Sequence, residues 1–462
     1  MRKYSLFKSC ILGTFIIALL VYITINLQHF GARNPNKPNI VFILADDLGW
    51  GDLGAYGHPY AKTPNIDQIA ADGSLFHRFY VTGSVCVPSR TGFMTSRSVE
   101  TFARYPKHAG FQGRMTITEL LNTNGYATGH FGKWHIGKNM NKDGQYGIDV
   151  VSLPGSNRGD AGRDSEVFQE AIDFIEQHKE GPFYVNVWAH TSHFPVKPHA
   201  SFSAVFEGLH VNREDFSKHM QAKFDRAESI GGNISEGMAN YLGEVYALDL
   251  WVGRLLKKLD ELDLRESTIV VFSSDQGPAP AAHPKRMEDP RSWNMLGSTG
   301  TFRGGKFTHF EGGIRSPFVI RWPGVVPAGK VNVGSVTSAL DWLPTLATIA
   351  DIDYDRGMFE GEDVSDIWKG ADRSRKNPLF GGTIRRGRMY MLQGGLKIHN
   401  NKGKISLYNV SENPEEDVDL ADKYPDIVVK LKKKLDEWVS THPNQDGSKA
   451  VVIPPVDIPK NI

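Results

Sequence analysis

Cys86 opens the segment CVPSRTGFMTSR, residues 86–97. Pro88 is at home in a first helical turn, so the segment predicts a helix beginning just after the cysteine. A helix N-terminus offers free N–H groups and the positive end of a dipole, which places Cys86 where an oxyanion would be held. The only other cysteine is Cys10, inside an N-terminal apolar run, so no disulfide forms within the soluble part. Composition alone makes Cys86 a buried free thiol or a reactive one. Two further clusters could do chemistry. Asp46-Asp47 and Asp275-Gln276-Gly277 offer only oxygen ligands, which suit a hard divalent cation, Ca²⁺ or Mg²⁺. Three carboxylates gathered without a cation would repel one another. An isolated Asp-Asp pair is usually a turn or a cap, but two acidic sets that both follow strand-like runs weaken that reading. The basic set is Arg90, Lys133, His135, His193 and Lys306. Singly these are surface charges; together, beside a cation, they make an oxyanion pocket.

A sheet would bring these groups to one place. Residues 39–45, 183–188 and 268–273 are continuous apolar runs, as in strands buried on both faces. A shorter strand is expected over 126–131. Between them lie amphipathic patterns over 165–178 and 238–262 with helical spacing. Alternation of this kind predicts a mostly parallel sheet with helices on both faces. Ligands of such sheets bind beyond the carboxyl ends of the strands. There the four runs are followed by Asp46 and Asp47, by His190 and His193, by Asp275, and by Lys133 and His135. Residues 197–237 and 278–301 are polar and rich in Pro, Gly and Ser, and read as loops over the site. From residue 376 the pattern shifts to short antiparallel strands over 378–390, 390–399 and 404–409. An amphipathic helix follows over 426–439, with Val428, Leu431, Leu435 and Trp438 on one face. The expected organisation is a large domain over 38–375, a small C-terminal subdomain over 376–445 and a tail over 446–462.

The chain has 462 residues, 40% hydrophobic and 23% charged, with a net charge of +1. That balance argues against a nucleic-acid partner or a general polyanion surface, so anion preference must come from local clusters. Arg2, Lys3 and Lys8 precede an apolar run over 11–27 with no small-residue cleavage site after it. Residues 1–30 read as an uncleaved signal anchor, with a cleaved signal peptide as the alternative. The positive-inside rule puts the rest outside the cytoplasm.

CVPSRTGFMTSR resembles the sulfatase signature C-x-P-S-R-x-x-x-L-T-G-R, and GYATGHFGKWH, residues 125–135, resembles the second signature of that family. PNIVFILADDLGWGDLGAYG, FRGGKFTHFEGGIRSPFVIRWPG and LYNVSENPEEDVDLA are also similar to type I, formylglycine-dependent sulfatases. The resemblance covers roughly residues 38–440. It implies an alkaline-phosphatase-like α/β/α sandwich, plus a small subdomain of antiparallel strands and a helix. It implies hydrolysis of a sulfuric ester, on a sulfated small molecule or carbohydrate, after a maturation enzyme converts Cys86 to formylglycine. One divalent cation, Ca²⁺ in preference to Mg²⁺, would be held by Asp46, Asp47, Asp275, Gln276 and the converted Cys86. Asp275 would accept the proton of the attacking hydroxyl, and Arg90 would orient it. Lys133 and Lys306 would hold sulfate oxygens, and His193, with Lys306, would protonate the leaving alcohol. His135 would free the sulfate from the enzyme. Departures are Met94 for leucine, Ser96 for glycine and Gln276 where Asn or His is commoner. A phosphate, phosphonate or phosphodiester ester, and a binding protein without catalysis, stand as alternatives. Cations and an aromatic in the two loops would suit a sulfated sugar, with His190, His283, Arg291 and Trp293 as candidate contacts. Asn233-Ile-Ser and Asn409-Val-Ser are glycosylation sequons, meaningful in a eukaryotic source.

Overall fold

Strand β1, Asn39–Ala45, has the sequence NIVFILA and is buried along its whole length. Alternate side chains go to opposite faces of a strand. Val41, Ile43 and Ala45 accordingly join one hydrophobic cluster and Ile40, Phe42 and Leu44 another. The computed structural model describes residues 37–137, 143–156, 159–281, 292–442 and 457–459. After β1 come β2 (Ser74–Phe76), β3 (Phe79–Tyr80), β4 (Ala127–Gly132), β5 (Val150–Ser152), β6 (Phe183–Trp188) and β7 (Thr268–Ser274). Then follow β8 (Phe318–Arg321), β9 (Lys330–Asn332), β10 (Thr337–Ser338), β11 (Leu379–Thr383), β12 (Arg388–Gln393), β13 (Leu396–Asn401) and β14 (Lys404–Asn409). The large sheet has eight strands in the order β5-β4-β6-β1-β7-β8-β2-β9. Its pairs are parallel except those of β8, which runs against both β7 and β2.

Helices cover both faces. Ser165–Gln177, Ile234–Glu261 and Pro64–Ala71 bury apolar stripes in the first cluster, and Cys86–Thr95, Ile117–Asn122 and Trp342–Ile349 in the second. The expected sandwich with a mostly parallel sheet is the one the chain adopts. The small antiparallel sheet runs β11-β12-β13-β14. One face of it, through Met389, Met391, Leu396, Ile398 and Leu407, packs on Ile427, Leu431, Leu435 and Trp438 of the helix Pro425–Ser440.

Several expectations change in detail. Residues 197–237 are not loop. They contain the helices Ala200–Ser203 and Lys218–Glu228 and the start of Ile234–Glu261, and they sink Phe202, Phe206, Val211, Phe216, Met220 and Phe224 into the body. Gly208 and Gly231, both left-handed, cut the apolar spacing into pieces too short to read as periodic. The first strand expected in the subdomain is two strands, split by a turn at Ile384–Arg386 that Gly387 closes at φ 62°. Ile427, not Val428, completes the buried helix face. The N-terminal segment 1–30 lies outside the described residues, as does the tail except 457–459, where Ile458 packs on the small core. Among the described residues no helix is long and apolar enough to cross a membrane.

The other face of the small sheet meets the body through charge. Lys397 is fully buried, with Nζ 2.8 Å from Glu311 Oε1 and 3.1 Å from Glu416 Oε1. Tyr80 donates to Glu311 Oε2 at 2.7 Å, and the Glu311 amide donates to Glu416 Oε2 at 2.6 Å. The two carboxylates push the Lys397 amine up against burial, which acts the other way. Lys397→Ala would remove the amine shared by Glu311 and Glu416, leaving them Arg315 at 3.3 Å and His399 at 3.0 Å, and is expected to cost up to about 3–5 kcal/mol of stability in urea denaturation. A loss below about 1 kcal/mol would show that the pair is not needed.

Candidate active site

The central strands β6, β1 and β7 run parallel and in register, so the segments leaving their carboxyl ends meet at once. Asp46 donates its amide to Thr191 O at 2.8 Å, Ser192 donates to Asp46 O at 2.6 Å, and Asp275 donates to Ala45 O at 3.1 Å. Asp47 then turns the chain in the left-handed region, φ 64°, a conformation that Asp tolerates better than most. Its amide donates to Asp275 Oδ1 at 3.1 Å. Gly277 lies so close to the short helix Glu311–Ile314 that a Cβ would stand 1.8 Å from Gly312 O. Only glycine permits that approach, and it sets the loop bearing Lys306 against the end of β7. The loop is tied on by Lys306 N–H to Pro278 O, 2.9 Å, and Phe307 N–H to Ser84 O, 2.8 Å.

Cys86 is the first residue of its helix, which has no side-chain cap. Its Sγ is 3.4 Å from Asp46 Oδ1, 3.5 Å from Lys133 Nζ, 3.5 Å from Gln276 Nε2 and 3.8 Å from Lys306 Nζ. Arg90, one turn on, is fully buried. It donates from Nε to Asp275 Oδ2 at 2.8 Å and from Nη1 to Lys133 O at 2.8 Å, and its guanidinium lies 5.0 Å from the Trp188 ring centroid. Lys133 pairs with Asp46, and Lys306 reaches the Asp47 carboxylate at 2.7 Å. His193 presents Nε2 at 3.9 Å from Asp47 Oδ2, while its Nδ1 sits 2.9 Å from Phe194 O. A proton on Nδ1 satisfies that carbonyl and leaves Nε2 facing the site.

Burial opposes ionisation here and the cations oppose burial. Burial alone would raise Asp46, yet Lys133, His193, Arg90 and Lys306 hold it well below the ordinary carboxylate range. Asp275 goes the other way: burial and the Asp46 charge push it up to about 7. Burial, then Asp46 and Asp275, push the Cys86 thiol up, so it stays protonated and is a poor nucleophile as it stands. His135 is crowded by protein atoms on one side and by Lys133, Arg90 and Lys107, and falls to about 4.

The residues fit a hard divalent cation. Ligand atoms of Asp46, Asp47, Cys86 and Asp275 all lie within 4.8 Å of one another. Gln276 Oε1 is buried with no partner among the described residues, while its Nε2 bonds to Asp47 Oδ1. A half-turn of the amide exchanges those atoms. The oxygen would then face carboxylates, which is favourable only with a cation between them. Sulfur at position 86 is the one ill-matched donor, since hard cations prefer oxygen.

A cleft of 940 Å³ opens on this centre, lined by Asp46, Lys133, His135, Arg163, His190 and His193 among others. Sequence reasoning missed Arg163 and Asp164. Arg163 donates from Nη1 to His193 O at 2.6 Å and to Glu244 Oε2 at 2.8 Å. Asp164 accepts from the amides of His190 and Thr191 at 2.7 and 3.0 Å, and lies 3.0 Å from His190 Nδ1. Together they brace the 190–193 loop. They sit just before a helix, where Arg-Asp reads as ordinary end chemistry. Of the four candidate sugar contacts, His190 lines the cleft and Trp293 packs instead against Gly232 and Gly237. His283 and Arg291 lie outside the described residues.

The chain has relatives among known proteins. The sulfatase family model matches residues 38–352. The chain is similar to human arylsulfatase A, 31% identical over 386 residues covering 76% of this chain and 71% of that one. It is similar to dog N-acetylgalactosamine-6-sulfatase, 30% identical over 385 residues covering 72% of this chain and 66% of that one. Among solved structures it shares the fold of Ps i-CgsB, with a TM-score of 0.73 at 23% identity over 88% of this chain and 94% of that one.

A divalent cation that binds only the folded state is expected to raise the thermal midpoint of the metal-stripped protein. At about 100 times its Kd the gain is about 2.7 kcal/mol. Calorimetry with Ca²⁺ and Mg²⁺ would read it, and Asp47→Ala is expected to abolish it. A wild-type midpoint indifferent to both ions would remove the cation from the site.

Proposed function

The chain belongs to the sulfatase family, and from that premise we propose that it is a type I sulfatase that releases sulfate from a sulfated carbohydrate. On this reading Cys86 is matured to formylglycine, and one Ca²⁺ is held by Asp46, Asp47, Asp275, Gln276 and the converted residue 86. The observation that carries the proposal is the placing of Cys86 Sγ. It lies within 3.8 Å of a carboxylate, two amines and the Gln276 amide, at the start of a helix that also supplies Arg90.

Hydrated formylglycine supplies an oxygen nucleophile and a second hydroxyl able to expel sulfate, and the cation supplies positive charge against the sulfate oxygens. The chain's own groups do the rest. Lys133 and Lys306, both near Sγ, meet an anion carried at position 86 from two sides. Arg90 Nη2, buried, 3.7 Å from Asp46 Oδ1 and without a hydrogen bond among the described residues, orients the attacking oxygen. Asp275 takes the proton of the attacking hydroxyl. His193 protonates the leaving alcohol from Nε2 as the imidazolium, its Nδ1–H staying on Phe194 O, assisted by Lys306. His135, held neutral, takes the proton whose loss frees sulfate. The thiol itself has neither the ionisation nor the second hydroxyl for this work, which supports its conversion.

The carbohydrate assignment rests on relatives such as N-acetylgalactosamine-6-sulfatase and on a cleft large enough for a sugar. The N-terminal charge and apolar pattern supports export, with residues 1–30 as a membrane anchor or a removed signal, and maturation by a formylglycine-generating enzyme outside the cytoplasm. Residues 38–375 form the catalytic domain and 376–445 the small subdomain.

Cys86→Ala is expected to lower sulfate release roughly a thousandfold or more while leaving the circular-dichroism spectrum unchanged. A tryptic peptide spanning residue 86, from protein made beside a formylglycine-generating enzyme, is expected at the mass of the aldehyde. Full activity with an alkylatable thiol at position 86 would overturn the proposal.

A further inference from the structure

The residue after Lys306 is Phe307, 52% exposed and held at φ 77°. A bulky residue adopts this left-handed conformation rarely and at a cost of about 1–3 kcal/mol. The conformation is fixed by Phe307 N–H to Ser84 O, 2.8 Å, and Thr308 N–H to Gly305 O, 3.0 Å.

The ring forms one wall of a second cleft, 340 Å³, between the Lys306 loop and the small sheet. The sheet face turned to the body carries Arg388 and Tyr390 on β12, Lys397, His399 and Asn401 on β13, and Lys404 and Ser406 on β14. At its buried end Lys397 and His399 are neutralised by Glu311 and Glu416. At its open end Arg388 and Lys404 flank Asn401 across the strands, two strand spacings or about 10 Å apart. Arg303 completes the wall, and among the described residues no carboxylate lines the cleft. Asp417 feels Arg303 and Asp419 feels Lys404, but both sit outside the lining. Arg385 and Arg386 add positive charge on the adjoining turn. In a chain of net charge +1, this is a local excess that an anion would relieve.

We propose that this cleft is a second sugar subsite. Phe307 stacks the unit next to the one being desulfated, and Arg388 and Lys404 take the anionic group, sulfate or carboxylate, that this neighbour carries. The substrate class is then an oligosaccharide with at least two anionic units. The inference rests on the sulfatase reading for the chemistry at residue 86 but not for binding in the cleft.

The test is calorimetric titration of full-length Cys86→Ala protein with dextran sulfate, carboxymethyl dextran and unsubstituted dextran hexasaccharides. Turnover of p-nitrophenyl sulfate is measured in parallel on protein that keeps Cys86. One or both charged probes should bind and the neutral one should not, and the better charged probe identifies the group taken. Adding Arg388→Ala and Lys404→Ala should weaken that binding about tenfold, and Phe307→Ala should weaken it further. The loss should exceed any loss in p-nitrophenyl sulfate kcat/KM by a clear factor. The proposal is overturned if neither charged probe binds, if the variants bind as the parent does, or if binding and turnover fall equally. A parent that hydrolyses no sulfate ester overturns the sulfatase reading instead, and the titration still decides the subsite.

Discussion

Asp46, Asp47 and Asp275 are buried together at the floor of the cleft, and each has a cation against it. Lys133 and Arg90 face Asp46, Lys306 faces Asp47, and Arg90 faces Asp275. Removing one partner of such a buried pair costs about 3–5 kcal/mol. With all three carboxylates ionised the count is three negative to three positive, balanced when residue 86 is neutral. Burial drives the thiol to that neutral state. A divalent cation would tip the balance by two positive charges, which suits a centre that must receive an anion.

Backbone geometry delivers the charges. Three adjacent parallel strands end together, and hydrogen bonds between the segments leaving them hold Asp46, Asp275 and the 190–193 loop in mutual register. Lys306 arrives from a loop whose following helix, Glu311–Ile314, packs on Gly277 more closely than any side chain would allow. Positions that a sequence scatters over more than two hundred residues therefore share one sheet edge.

Much of this was legible. The runs 39–45, 183–188 and 268–273 are apolar throughout because both their faces are covered, and reactive residues follow them without an intervening loop. Asp46, Asp47 and Asp275 could be read for that reason, and Cys86 and Arg90 from the helix start that Pro88 marks and from the CVPSRTGFMTSR motif. Residues 197–237 could not, because glycine breaks hid Phe202, Phe216 and Phe224 as core residues. Arg163 and Asp164 act through backbone carbonyls and amides, which leaves no pattern in the sequence. Lys397, in a polar strand, reads as exposed because its partner Glu311 is 86 residues away. Trp293 has the composition of a sugar contact but packs on glycines, a distinction only packing can make.

The junction of Lys397 with Glu311 also couples the two parts of the molecule. Glu311 begins the short helix Glu311–Ile314, which packs on Gly277 at the end of β7. Its carboxylate is held by Lys397 from β13 as well as by Tyr80 and Arg315. Loss of the small sheet would leave that carboxylate short of a cation beside the strand end that carries Asp275. The small sheet thus acts as a clamp on the centre, although none of its residues enters it.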